Sequence, residues 1–105
     1  MKAPVIRISI GRFDTGLTPT VEVKVNEMRA RIEGGVRALK GNLGFCAGID
    51  KKNGAMHNVS FWESVADAEQ MSRFEPMLQL GREFAAIGVT FERPILNCDT
   101  LWQWD

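Results

Sequence analysis

Residues Ala55–Glu63 read AMHNVSFWE, a run that alternates like a β-strand and then breaks into a helix start. A period of two places Asn58, Ser60 and Trp62 on one face and His57, Val59 and Phe61 on the other. An amide, a hydroxyl and an indole thus line up at the end of one strand. Such a row suits the floor of a small-molecule pocket, because each group can donate a hydrogen bond while the indole adds a flat apolar surface. The same pattern also fits a solvent-facing strand with a tryptophan at its rim.

Before this run, Lys51–Gly54 is a polar connection ending in Asn53-Gly54, the strongest short-range hairpin signal. It joins the run to a second alternating strand, Leu43–Asp50, in which Leu43, Phe45, Ala47 and Ile49 oppose Gly44, Cys46, Gly48 and Asp50. After the run, Ser64 with Asp67 three residues on resembles a capping box that opens a helix. Pro76 breaks that helix near Glu75 and can start another, in which Met77, Leu80, Phe84 and Ile87 recur at helical steps before Gly88 stops it. Val89–Leu96 is the expected last core strand. The tail Asn97–Asp105 carries Trp102 and Trp104 on one face if extended.

The N-terminal part has the same logic. Val5–Phe13 alternates, with Ile6, Ile8 and Ile10 opposed to Arg7, Ser9 and Gly11. Thr18 before Pro19 reads as an N-cap followed by a first-turn proline. Val21, Val25, Met28, Ile32, Val36 and Leu39 then form a helical stripe closed by Gly41. Gly34 and Gly35 interrupt it at a cost of about 1 kcal/mol each relative to alanine, and fit either a close approach to another surface or a kink.

The element order is therefore β-α-β-β-α-β in one domain, 1–105. It predicts an α+β, ferredoxin-like fold: a four-stranded antiparallel sheet with helices on one face. The less hydrophobic sheet face is read as Ser9, Gly11, Gly44, Cys46, Gly48, Asn58 and Ser60, small and mostly uncharged residues. A solvated face would be richer in Lys, Glu and Thr, so both faces are expected to be covered, one by the helices and one by a second subunit's sheet. Which cover lies on which face is left open. The C-terminal tryptophans suit an intersubunit contact, and the expectation is a homodimer.

Composition narrows the function. Thirteen basic and thirteen acidic residues cancel and form no block of one sign, which argues against nucleic acid as a partner. No apolar run approaches the length of a membrane span, and Met1–Ile10, with Arg7 inside it, does not resemble a secretory leader. The two cysteines, Cys46 and Cys98, have no CxxC or zinc spacing and read as isolated thiols of a reducing compartment, the cytoplasm by default. Phosphate-binding glycine loops, flavin, nicotinamide and metal motifs, and a Ser-His-Asp set are all missing, so no cofactor and no metal is expected.

With its β-α-β-β-α-β order and the NVSFWES segment before a helix, the stretch from Val5 to Leu96 resembles the antibiotic biosynthesis monooxygenase family, dimeric α+β barrel proteins. In the quinone-forming members an Asn and a Trp four residues apart on this strand line the pocket, with an Arg from the later helix. Asn58 and Trp62 match by type and spacing, and Arg82 falls on the corresponding helix. The resemblance implies oxygenation of a small aromatic phenol or hydroquinone with O2, with Asn58, Trp62 and Arg82 as the catalytic set and Ser60, Ser9 and Cys46 as substrate-binding neighbours.

The chain has no tyrosine, although those enzymes use tyrosines in the pocket, and it places no Asp or Glu on the Asn58 face as a general base. These departures support an alternative, a non-catalytic ligand-binding or stress-response barrel dimer. The haem-degrading branch of the superfamily uses a His on the helix after the Trp and an Asn in the first strand. Here the only histidine is His57, on the Val59 face, and the first strand has no Asn, so haem is not expected.

Overall fold

The alternation of the first segment becomes β1 (Val5–Arg12), which is followed by a 3-10 turn and α1 (Thr18–Arg37). The structure, a computed structural model, describes residues 3–104; Met1, Lys2 and Asp105 of the expected domain lie outside the described residues. The chain continues through β2 (Asn42–Asp50), β3 (Ala55–Trp62), the single-turn α2 (Val65–Ala68), a second 3-10 turn, α3 (Glu75–Ala86), β4 (Thr90–Phe91) and β5 (Leu96–Asp99). The sheet is antiparallel in the order β2-β3-β1-β4, with β5 also paired to β1. This is the α+β, ferredoxin-like arrangement expected from the sequence. No helix among the described residues is long and apolar enough to cross a membrane.

Three local readings need correction. Thr18 is the first residue of α1, bonded through Oγ1 to Thr15 O at 2.8 Å, while Asp14 caps the preceding 3-10 turn by accepting from Gly16 N at 2.8 Å. The helix after Ser64 lasts one turn before tightening, although Ser64 Oγ does accept from Asp67 N at 3.0 Å. The last strand is not continuous over Val89–Leu96. Glu92 N still donates to Ile10 O at 2.8 Å, but Pro94 has no N–H to give to the ladder, so Arg93–Ile95 leaves it, and pairing with β1 resumes over Leu96–Asp99. Asn97, Cys98 and Asp99, assigned above to the tail, therefore belong to the sheet.

Helices cover the sheet face that carries Val5, Arg7, Gly11, Met56, Asn58, Ser60 and Trp62, all buried. Val21, Met28, Ile32 and Val36 of α1 and Leu80 and Phe84 of α3 close over it. At Gly35 the reason is close approach, since a Cβ there would lie 2.5 Å from Phe74 Cζ, whereas a Cβ at Gly34 would meet nothing within 4 Å. Gly54, the last residue of the β2–β3 connection, has φ +65° and faces Phe13 O, which a Cβ would meet at 2.2 Å.

The opposite face, with Ile6, Ile8, Ile10, Val59 and Phe61, is only half-buried, and Leu96 at its edge is 48% exposed. The register places Gly44, Cys46 and Gly48 there too, opposite Phe61, Val59 and His57. The expected grouping of those three residues with Asn58 and Ser60 is thus wrong.

Ion pairs join the two long helices. Glu83 of α3 accepts from Arg31 Nη1 at 2.7 Å and Lys24 Nζ at 2.6 Å, both on α1. Arg31 first, and then Lys24, hold the Glu83 carboxyl well below the usual carboxylate range. A depressed folded-state pKa stabilises at pH values above the unfolded pKa, and the contribution is lost as pH falls through the folded one. Glu83→Gln should therefore lower the melting temperature modestly at neutral pH, and the gap to the parent should close in strong acid. A gap that stays constant in melts across that range would show that the pair does not act through its charge.

Candidate active site

The central strands β1 and β3 set the floor of the site. Arg7 lies directly opposite Ser60, and Ser9 opposite Asn58, so four polar side chains form a compact block on the helix-covered face. Three of them are small, and the helices cannot reach down to fill the space above them. A cavity of about 520 Å³ results, within the range of small-ligand sites. Its roof is apolar: Met28 from α1, Met71 from the turn before α3, and Met77, Leu80 and Phe84 from α3. Leu78, Arg82 and Arg93, all exposed, mark the rim.

Asn58 Oδ1 is buried and accepts no hydrogen bond. Turning the amide over would put an N–H₂ in the same position, so one polar group of Asn58 is left unanswered either way. Ser60 accepts from Trp62 Nε1 at 2.8 Å, which leaves its own proton free to turn toward the cavity. Trp62 itself is fully buried and does not border the cavity. Its indole fixes Ser60 from behind, so the expected direct contact between indole and ligand is corrected to a positioning contact.

The remaining expected residues divide. Ser9, Asn58 and Ser60 share the cavity floor. Cys46 does not, because its strand register turns it to the opposite face, where it is exposed. Arg82 reaches only the rim, with Nη2 bonded to Glu75 Oε1 at 2.6 Å and Gln79 Oε1 at 2.8 Å.

Arg7 escaped the reading of the sequence, although its parity with Ser9 places it on the same face. It is 6% exposed, and its hydrogen bonds go to neutral oxygens at long range, Ser72 Oγ at 3.3 Å and Asn97 Oδ1 at 3.4 Å. Burial lowers the proton affinity of its guanidinium; the charge of Glu69 offsets this and that of Arg93 adds to it. Among the described residues no Asp or Glu lines the cavity, whereas Arg7, Arg82 and Arg93 do. The site is therefore electropositive at its floor, while at the rim Arg82 is paired with Glu75.

Among the described residues, no cluster of three or more His, Cys, Asp or Glu could hold a metal ion. Haem does not fit the lining either. No imidazole, thiol or phenol borders the cavity, and His57 pairs with Ile10 and Gly48 on the opposite sheet face.

No protein-family model matches the sequence, and no curated protein matches it significantly. Solved structures do match the fold. An antibiotic biosynthesis monooxygenase superposes with a TM-score of 0.69 at 15% identity, covering 92% of this chain and 98% of that one. A monooxygenase of Streptomyces coelicolor in complex with nanaomycin D gives 0.66 at 15% identity, covering 88% of each chain. A haem degrader of Mycobacterium tuberculosis, with two haems bound in its active site, gives 0.66 at 17% identity, covering 97% of this chain and 100% of that one. The fold is thus the one found in antibiotic biosynthesis monooxygenase structures.

Proposed function

We propose that this protein is a cofactor-independent monooxygenase that oxidises a small aromatic phenol, of the anthrol or hydroquinone kind, with O2. The observation that carries the reading is the unanswered amide of Asn58 on the floor of an apolar-roofed cavity. For an anthrol-type substrate, one oxygen atom enters the ring carbon para to the hydroxyl, and the other leaves as water with the two hydrogens lost. The substrate supplies the electrons, so no external reductant is consumed. Asn58 and Ser60 hydrogen-bond the substrate oxygen as charge develops on it, and Trp62 holds Ser60 in place. The methionine and phenylalanine roof gives the aromatic ring an apolar surface to pack against. The shared fold with a monooxygenase supports the assignment.

Asn58→Ala tests it. Because Asn58 Oδ1 has no partner to lose, the stability change should stay below about 1 kcal/mol, the typical worth of one hydrogen bond. Oxygen uptake with anthrol- or hydroquinone-like substrates should collapse. Undiminished uptake in a folded Asn58→Ala protein would overturn the reading.

One observation favours the alternative, a ligand-binding barrel dimer without catalysis: no carboxylate, imidazole or phenol lines the cavity as a general base. That reading requires binding of the same aromatics with no oxygen uptake by the parent protein. Under either reading we place the protein in the cytoplasm, consistent with its two free thiols. We also assign a homodimer, in which the half-exposed face of Ile6, Ile8, Ile10, Val59 and Phe61 meets its copy.

A further inference from the structure

We infer that Arg7 anchors an acidic group of the ligand, so that the cavity selects hydroxylated aromatic acids over neutral phenols. The inference rests on the reading of this cavity as the binding site. Arg7 is the one cation on the cavity floor, and neither of its neutral partners comes close enough to occupy it fully. The charge of Glu69 is felt there without a hydrogen bond to the guanidinium. A guanidinium has five donors in a fixed fork matched to a carboxylate, so several stay available to a ligand. Burying such a charge without an anion is unfavourable unless something else gains from it, and a bound carboxylate supplies that gain.

Asn58 supplies the second, independent observation. It sits diagonally across the strand pair from Arg7, nine-tenths buried, with Oδ1 unpartnered. An unanswered amide there asks for a hydrogen-bonding group on the ligand, and a phenolic hydroxyl, which can both donate and accept, provides one. The floor therefore presents a cationic fork and an unanswered amide under an apolar roof. A flat body with a carboxylate at one end and a hydroxyl at the other satisfies all three. The rim arginines do not compete for this role: Arg82 is committed to Glu75 and Gln79, and Arg93 is exposed, donating to Glu92 O.

Calorimetric titration with 6-hydroxy-2-naphthoate, 2-naphthoate and 2-naphthol tests the assignment. The parent protein should bind the hydroxy acid at least about tenfold more tightly than 2-naphthol, the effect expected of a charge-assisted hydrogen bond. Arg7→Met should erase that preference, with the fold verified by thermal melting. Met keeps much of the apolar volume and removes a buried charge, so folding should survive. Arg82→Met should keep the preference. Equal affinity of the parent for acid and phenol, no binding of either at millimolar concentration, or a preference that survives Arg7→Met would each overturn the inference. If Arg7→Met does not fold, the comparison in the parent, repeated in Arg7→Lys, decides: Lys should retain an acid preference because it keeps the charge. Oxygen uptake, measured separately, distinguishes the two proposals. An Arg7-dependent acid that provokes no uptake leaves the anchor standing and removes the oxygenase, whereas uptake on the hydroxy acid that Arg7→Met leaves unaffected does the reverse.

Discussion

Trp62→Ala is expected to lower the folding stability by about 3–5 kcal/mol, enough to unfold much of a domain this size at moderate temperature. The indole is fully buried at the junction of β3 and the helix layer, opposite Val5, so its removal leaves a void in a close-packed core. The same change leaves Ser60 Oγ without its donor, a second cost inside the core. Trp62→Phe separates the two effects, since it keeps most of the packing and removes only the N–H. It should lose clearly less stability than the alanine variant, yet bind ligand more weakly because Ser60 is no longer held. Denaturant melts on both variants check this. A loss for Trp62→Ala within about 0.5 kcal/mol, as at an exposed surface position, would show that the indole is not part of the core.

Val59→Glu should convert a homodimer into a folded monomer. Val59 sits mid-face on β3, between Ile8 and Cys46, and its side chain points away from the helix layer. A carboxylate there leaves the core untouched but places a charge from each subunit in an apolar contact, where burial without a partner is strongly unfavourable. Light scattering at micromolar concentration should show a dimer for the parent and a monomer of unchanged helical content for the variant. Removing 101–105 should weaken the dimer more gently, because Leu101, Trp102 and Trp104 are among the most exposed apolar residues of the chain. The cut has to fall after Thr100, since Asn97, Cys98 and Asp99 pair with β1. A monodisperse parent monomer would remove the dimer from the proposal.

Period-two and helical spacing located the long elements because each of them carries one regular row of side chains. β1, α1, β3 and α3 are all visible as Ile6-Ile8-Ile10, Val21-Met28-Ile32-Val36, Asn58-Ser60-Trp62 and Leu80-Phe84. What failed was the assignment of faces. The connection Lys51–Gly54 has four residues, so Asp50 faces Ala55, and even-numbered residues of β2 must share a face with odd-numbered residues of β3. That parity, available from loop length alone, removes Cys46 from the site.

Arg7 was overlooked for a related reason. A charge within a strand reads as solvent-facing, and only the register with Ser60 reveals that it lies under the helices. That the helices would choose the face with fewer large side chains could not be read from hydrophobicity. The bulky residues on that face, Val5, Met56 and Trp62, sit at its ends and carry the helix layer, which leaves the middle open. The break at Pro94 follows from its missing N–H, but where pairing resumes depends on β1.

The polar floor and the apolar roof belong to different parts of the chain, and this separation makes the cavity adaptable. The floor rests on the two interior strands, each hydrogen-bonded on both sides, where a change in backbone would disturb the whole sheet. The roof comes largely from α3, where Met77, Leu78 and Ala85 can be enlarged or trimmed without touching a hydrogen bond of the floor. Ligand size can therefore be re-tuned on one helix while the polar contacts stay fixed on the sheet. A directed-evolution library aimed at new ring systems belongs on α3, with Arg7, Ser9, Asn58 and Ser60 held constant.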